Sequence, residues 1–363
     1  MKNINVSSPL LPSFEEFMEL SKIAWDNKWL TNNGELHKRL EDELCDYLDV
    51  KYISLFSNGT LALITALQAL NLKGEVITTP YTFTATANSV LWNNLKPVFV
   101  DIDPITMNLD YAEVEKAITK YTSAILPVHV YGEPCNNEKL NQIAERHGLK
   151  LIYDAAHAFN VRVNEESILN WGDCSILSFH ATKTYSTIEG GAVVCNSLEL
   201  KNKIDQLKNF GFESVESLPE VGINAKLNEI QCAFGLASLK VIDQSILKRK
   251  ELSSYYADKL IDSEFLSLPI KRNDVQYNYS YFPVFVSGGL EKRDEVLKRL
   301  QNNGVIARKY FYPLVSDFEG FAKSRKLNLK NAEDISNSIL CLPLHSELNF
   351  SDIDYIINVM EES

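Results

Sequence analysis

Five short apolar runs, each followed by a helical pattern, constrain this chain more than any other feature. They are YISLF (52–56), EVITT (75–79), PVFVD (97–101), AILPV (124–128) and KLIYD (150–154). Runs of this length, rich in β-branched and aromatic residues and alternating with helical periodicity, predict parallel strands joined by crossover helices. CSILSF (174–179) and GAVVC (191–195) continue the strand series, while NEKLNQIAERHG (137–148) and the stretch after Thr60 read as helices. The expected architecture is α/β, with a mixed, mainly parallel sheet flanked by helices over residues 1–240, including an N-terminal arm. From about residue 225 the pattern changes. A long amphipathic helix, KLNEIQCAFGLASLKVIDQSILKRKELSSYYADKL, leads to a tyrosine-rich strand, YNYSYFPVFV, and a helix over 291–303. That pattern predicts a smaller C-terminal α+β domain over 241–363, and SVESLPEVG (214–222) reads as a mobile loop.

Composition removes several function classes. The formal net charge is −12 and no long basic run interrupts the chain, which argues against a nucleic-acid binder, because such a protein needs a basic face to release counterions. Six cysteines occur without a C-x-x-C pair, so neither a zinc site nor a disulfide framework is expected and a reduced, cytoplasmic setting is the simpler reading. The N-terminal MKNINVSSPLLP has no apolar core of a signal peptide and no run of about 18 apolar residues occurs, so no membrane span is expected. Neither G-x-G-x-x-G nor G-x-x-x-x-G-K-[ST] is present, which disfavours nicotinamide-binding and P-loop readings.

Three features could carry chemistry. FSNGTLALITAL sets Ser57, Asn58, Gly59 and Thr60 between a strand and a helix, where free amides and the helix dipole attract an anion, or where an ordinary N-cap would serve the first turn. LIYDAAHAF ends a buried strand on Asp154, and a carboxylate there needs a cation or donors, or caps the next helix. His157, three positions on, either points to the same ligand or is a satisfied core histidine. SFHATKTYSTIEGG then places Lys183 just beyond another strand, 29 residues after Asp154. A lysine, a carboxylate and an anion cradle at the ends of parallel strands lie on the edge where α/β sheets bind ligands. Pyridoxal 5'-phosphate asks for this trio: an amine for its aldehyde, a carboxylate for its pyridinium nitrogen, and N–H groups for its phosphate. Phe83, in PYTFTATAN, adds an aromatic plane that either stacks on the ring or is core.

These residues, together with LTNNGELHKRLEDEL, TTPYTFTATANSV, PVFVDID, PVHVYG, GINAKLNEIQCA, RKYFYPL and LPLH, resemble the DegT/DnrJ group of sugar aminotransferases. The resemblance covers nearly the whole chain. It implies the pyridoxal-phosphate-dependent transferase fold type I, that of aspartate aminotransferase, and an obligate homodimer with shared active sites. By position it implies that Lys183 is the Schiff-base lysine and proton shuttle, that Asp154 keeps the pyridine nitrogen protonated, and that Phe83 stacks on the ring. His157 would lie beside the 3'-oxygen. Gly59, Thr60, the backbone at Leu61, and Ser178 would hold the phosphate, and Asn224 would reach it from the other subunit. Lys226 falls where several relatives carry an arginine that holds the amino donor's carboxylate, and it lacks the bidentate fork. Arg308, Tyr310, Tyr312 and His345 resemble residues near the sugar-nucleotide entrance.

The variant S-F-H-A-T-K followed by E-G-G resembles the branch that aminates C4 of dTDP-4-keto-6-deoxyglucose with L-glutamate as donor. Amination at C3 within the same family, and a non-catalytic sugar-nucleotide-binding relative, are the alternatives. A 3-dehydratase of the same fold replaces the lysine by histidine, and Lys183 argues against it.

Overall fold

The computed structural model describes residues 3–361. An eight-stranded sheet runs in the order Arg325–Lys326, Lys96–Phe99, Glu75–Thr78, Thr122–Leu126, Lys150–Asp154, Cys174–Ser178, Gly191–Cys195, Tyr52–Phe56. Neighbouring strands are parallel except where Gly191–Cys195 pairs antiparallel with both its neighbours. This is the mixed, mainly parallel sheet that the sequence predicts. Both faces are covered, which is why the strands read as nearly continuous apolar runs. Ala192 and Val194 join Ile53, Leu55 and Leu177 in one core, whereas Val193 and Cys195 join Phe56 and Ile176 in another. Alternate residues thus serve opposite faces, and a one-residue slip would exchange the two sets.

A separate core, from Leu252 to Met360, packs around an antiparallel sheet of Leu266–Ser267, Phe282–Val286 and Ile339–Leu342. The chain crosses between the two bodies more than once. Ile4–Asn5 pairs in parallel with Val305–Ile306, and Arg325–Lys326 extends the large sheet beside Lys96–Phe99.

Two sequence expectations are corrected. The long helix after residue 225 is two helices, Glu229–Leu239 and Ile242–Leu260, bent by 57°. The first is buried over Cys232–Ser238 against the helices Phe14–Asp26 and Glu35–Leu48, while the second sends Leu252, Tyr256 and Leu260 into the other core. One straight helix could not serve both. Likewise only Phe282–Val286 of the tyrosine-rich run is strand. Before it, Asn278 Nδ2 donates to the carbonyls of His157 (2.9 Å) and Phe159 (3.0 Å), and Ser280 Oγ donates to those of Tyr131 and His157 (3.1 Å each). Side chains there tie the run to segments that follow the strands Thr122–Leu126 and Lys150–Asp154 of the large sheet.

The helix Glu35–Leu48 begins at Gly34, which has no side chain to cap it. Glu229, almost 200 residues away and 1% exposed, does so instead: its carboxylate accepts the N–H groups of Gly34 (3.1 Å), Leu36 (2.9 Å) and His37 (3.2 Å). Glu229→Ala leaves these donors unpaired, and urea denaturation is expected to show a loss of about 3 kcal/mol or more. A loss below about 1 kcal/mol would mean that water or another group replaces the carboxylate.

Candidate active site

Three strand ends meet at one edge of the large sheet. Lys150–Asp154 ends on Asp154, Cys174–Ser178 ends on Ser178, and Tyr52–Phe56 leads through Asn58 into the helix Gly59–Ala69. Between them lies a cavity of about 320 Å³ lined by Gly59, Thr60, Phe83, Asp154, His157, Ser178, Lys183 and Tyr310, among others. Eight of the residues singled out in the sequence are thereby brought together.

The glycine pair after Lys183 has a steric cause. A Cβ on Gly191 would come within 2.6 Å of the Gly59 nitrogen, and one on Gly190 would meet the Thr187 hydroxyl. Only bare backbone lets the returning strand lie against the start of the helix Gly59–Ala69. At that start Asn58 Oδ1 accepts the Leu61 amide at 2.9 Å, so Leu61 is the residue served by the cap. The Gly59 and Thr60 amides have no partner among the described residues and point with the positive end of the helix dipole. A Cβ on Gly59 would sit 3.1 Å from that of Ser178, so the cradle is already narrow.

Asp154 is 5% exposed. Its Oδ2 accepts from the Thr86 hydroxyl at 2.7 Å and its Oδ1 from the Ala156 amide at 3.1 Å. Burial raises its carboxyl above the usual carboxylate range, although Thr86, Ala156 and the charge of Lys183 pull it back. A cation against its free lone pairs would favour the ionised form further. His157, also 5% exposed, accepts the Tyr131 amide on Nδ1 at 3.2 Å. Burial holds it well below the usual histidine range, so it is neutral and Nε2–H is its donor. Its ring stacks parallel to Phe311 with centroids 5.9 Å apart.

Lys183 Nζ makes one long contact among the described residues, 3.4 Å from the Tyr281 hydroxyl. Burial lowers its amine to about 8, while Asp154 and Tyr310 act in the opposite direction. The unprotonated, nucleophilic form therefore dominates above pH 8, where an ordinary lysine is still charged. Capture of pyridoxal phosphate by the ligand-free protein is expected to accelerate with rising pH and level off just above pH 8. A rate still climbing steeply at pH 10 would show an unperturbed amine.

The remaining sequence candidates lie outside this cavity. Asn224 is exposed, and its Oδ1 accepts from Lys226 Nζ at 2.7 Å, which itself lies 4.3 Å over the Phe210 ring. Arg308 is exposed and pairs through its backbone with Cys341. The Tyr312 ring is approached by Arg293 Cζ at 4.5 Å and by Lys309 Nζ at 4.7 Å from its centroid. His345 is buried in the smaller body, where burial and then the Arg249 charge hold its imidazole low. Conversely, sequence reasoning missed Thr86, which fixes Asp154, and Tyr281 and Phe311, which wall the cavity.

The DegT/DnrJ/EryC1/StrS aminotransferase family matches residues 13–361. The chain belongs to this family. Like its members, this DegT/DnrJ/EryC1/StrS aminotransferase works with pyridoxal phosphate. It is 49% identical over 363 residues, 99% of each chain, to the dTDP-4-amino-4,6-dideoxy-D-glucose transaminase of Shigella dysenteriae. To the dTDP-4-amino-4,6-dideoxy-D-glucose transaminase of Escherichia coli it is 45% identical, over 96% of this chain and 95% of the other. Its fold matches DesI, crystallised in the presence of its TDP-sugar product, with a TM-score of 0.95 at 32% identity, covering 99% and 92% of the two chains. The residues fit the cofactor: a depressed amine, a buried carboxylate short of a cation, a neutral imidazole N–H, a narrow amide cradle, and Phe83, 61% exposed on the cavity wall.

Proposed function

We propose that this aminotransferase moves the amino group of L-glutamate to C4 of dTDP-4-keto-6-deoxy-D-glucose, giving the 4-amino-4,6-dideoxy sugar. The observation that carries the reaction is one cavity holding a free amine, Lys183, and a buried carboxylate, Asp154, at adjacent strand ends. The substrate follows from the whole-length similarity to the two transaminases named above.

Pyridoxal phosphate, when bound, supplies an electrophilic aldehyde and a ring that draws electrons from the reacting carbon. The chain's part is to hold and to move protons. Asp154 would keep a positive charge on the ring nitrogen, fixed in place by Thr86 and Ala156. The His157 Nε2–H would donate to the 3'-oxygen, and Phe83 would cover one ring face against water. The Gly59 and Thr60 amides and the Ser178 hydroxyl would hold the phosphate. Lys183 would join the aldehyde and, once displaced by the incoming amine, shuttle a proton at the reacting carbon.

A homodimer completes this reading. Asn224 and Lys226 directly follow a loop whose Val215 and Val221 are exposed (97% and 82%). A second copy would bring Asn224 to the phosphate, and sedimentation should find a dimer. The six cysteines are all free thiols, and no single helix among the described residues is long and apolar enough to cross a membrane; a cytoplasmic enzyme suits both facts.

Incubation with pyridoxal phosphate, L-glutamate and dTDP-4-keto-6-deoxyglucose tests the proposal, with the new amine located by mass spectrometry and NMR. The expected product carries it on C4. An amine on C3, or no product, refutes the assignment.

A further inference from the structure

The loop 179–190 brings more than Lys183 to the cavity. Its ends are tied by the Phe179 N–H to the Gly190 carbonyl at 2.8 Å and by the Thr187 N–H to the Phe179 carbonyl at 3.0 Å. His180, Lys183 and Glu189 are therefore presented from one closed frame, and all three line the cavity. His180 Nδ1 accepts the Thr182 amide at 3.2 Å and contacts the Thr182 hydroxyl at 2.8 Å. A ring nitrogen that accepts an N–H carries no proton, so the ring's proton sits on Nε2. That Nε2 lies 3.5 Å from Glu189 Oε1. The backbone under Glu189 is fixed in turn, because its carbonyl accepts the Thr187 hydroxyl at 2.9 Å and the Gln231 side-chain amide at 2.7 Å. One carboxylate oxygen thus lies within 3.5 Å of an imidazole nitrogen, while Oε2 has no partner among the described residues.

We propose that Glu189, positioned by His180, accepts the C3 hydroxyl of the sugar, next to the reacting carbon of the substrate. This rests on the sugar-nucleotide reading above and deepens it. None of the cofactor contacts uses either residue. Apart from Asp154, which Thr86 and Ala156 hold and the ring nitrogen would engage, Glu189 is the one carboxylate lining the cavity among the described residues. The reacting end of a ketohexose is uncharged and offers hydroxyl donors. A carboxylate is an acceptor with lone pairs to spare, and acidic side chains take ribose hydroxyls in this way. The same group discriminates between the two substrates that use the cavity in turn. Glutamate brings carboxylates, which the Glu189 charge repels, whereas the sugar brings donors, which it attracts. Glu189 is then a binding residue for the sugar, and His180 a positioning residue that acts through it.

The test uses the holoenzyme and two readouts. Binding of dTDP-glucose, which has no ketone to react, is compared with binding of dTDP by calorimetry, so that the difference reports the sugar contact alone. The glutamate half-reaction and the keto-sugar half-reaction are followed separately by stopped-flow absorbance. Glu189→Ala should weaken dTDP-glucose at least about tenfold more than dTDP, and raise the keto-sugar KM at least about tenfold more than the glutamate KM, the scale of a lost hydrogen bond to a charged group. Glu189→Gln, which keeps the volume, should fall in the same direction. His180→Ala should give a smaller loss of the same kind, and His180→Gln, whose side-chain amide can replace the Nε2–H, should recover part of it. Equal losses for dTDP-glucose and dTDP, equal losses in the two half-reactions, or a wild-type protein that binds dTDP-glucose no better than dTDP would overturn the proposal. Should the wild type fail to aminate the keto sugar, the functional reading falls, while the two-ligand comparison still decides the role of Glu189.

Discussion

Lys183→Ala is expected to lower transamination by at least about 10⁴-fold while leaving the fold intact. In the proposed reaction the amine has two duties, nucleophile toward the cofactor aldehyde and proton carrier at the reacting carbon, and losing general acid–base catalysis alone removes on the order of 10²–10⁴ in rate. Stability should change little, because among the described residues the Lys183 side chain makes only the 3.4 Å hydrogen bond to Tyr281, and its amine sits well below its ordinary pKa. Single-turnover kinetics of the variant, with cofactor supplied and thermal unfolding run in parallel, separates the two effects. Retention of more than about 1% of the wild-type rate would show that another group moves the proton.

Asp154→Asn is expected to retain cofactor but slow both half-reactions by about 10²–10³-fold, the range seen when a preorganised electrostatic partner is removed. The amide preserves shape and can still accept from the Thr86 hydroxyl. It carries no charge, so nothing holds the proton on the ring nitrogen, and the neutral ring is a poorer electron sink. Both half-reactions must suffer, because both pass electrons through the same ring. A defect confined to the sugar half-reaction would place Asp154 on the substrate instead.

Much of the large sheet was legible because its strands are buried on both faces. YISLF, KLIYD and GAVVC occupy the strands Tyr52–Phe56, Lys150–Asp154 and Gly191–Cys195 with no shift at either end. The centre of the site was legible for a related reason. Asp154 and Lys183 stand where apolar runs stop, and a charge at such a place has to answer to something. What stayed hidden depends on contacts between distant segments. Tyr281 reaches Lys183 across 98 residues, and Thr86 reaches Asp154 across 68; neither carries a local pattern, although the cluster of tyrosines in YNYSY was a usable hint. The break after Leu239 was invisible because Lys240 and Val241 are tolerable in a helix, and the need to feed two cores decides the bend. Glu229 carries no local mark of its role, and only the tertiary fold makes this first residue of one helix the cap of another.

The central claim is that the ε-amine of Lys183 joins the cofactor. Borohydride reduction of the protein loaded with pyridoxal phosphate, followed by peptide mapping in a mass spectrometer, tests it most directly. The account predicts one pyridoxyl label, on the peptide containing Lys183, and loss of the visible absorbance. A label on any other lysine, or a protein that binds the cofactor and takes up no label, would contradict it.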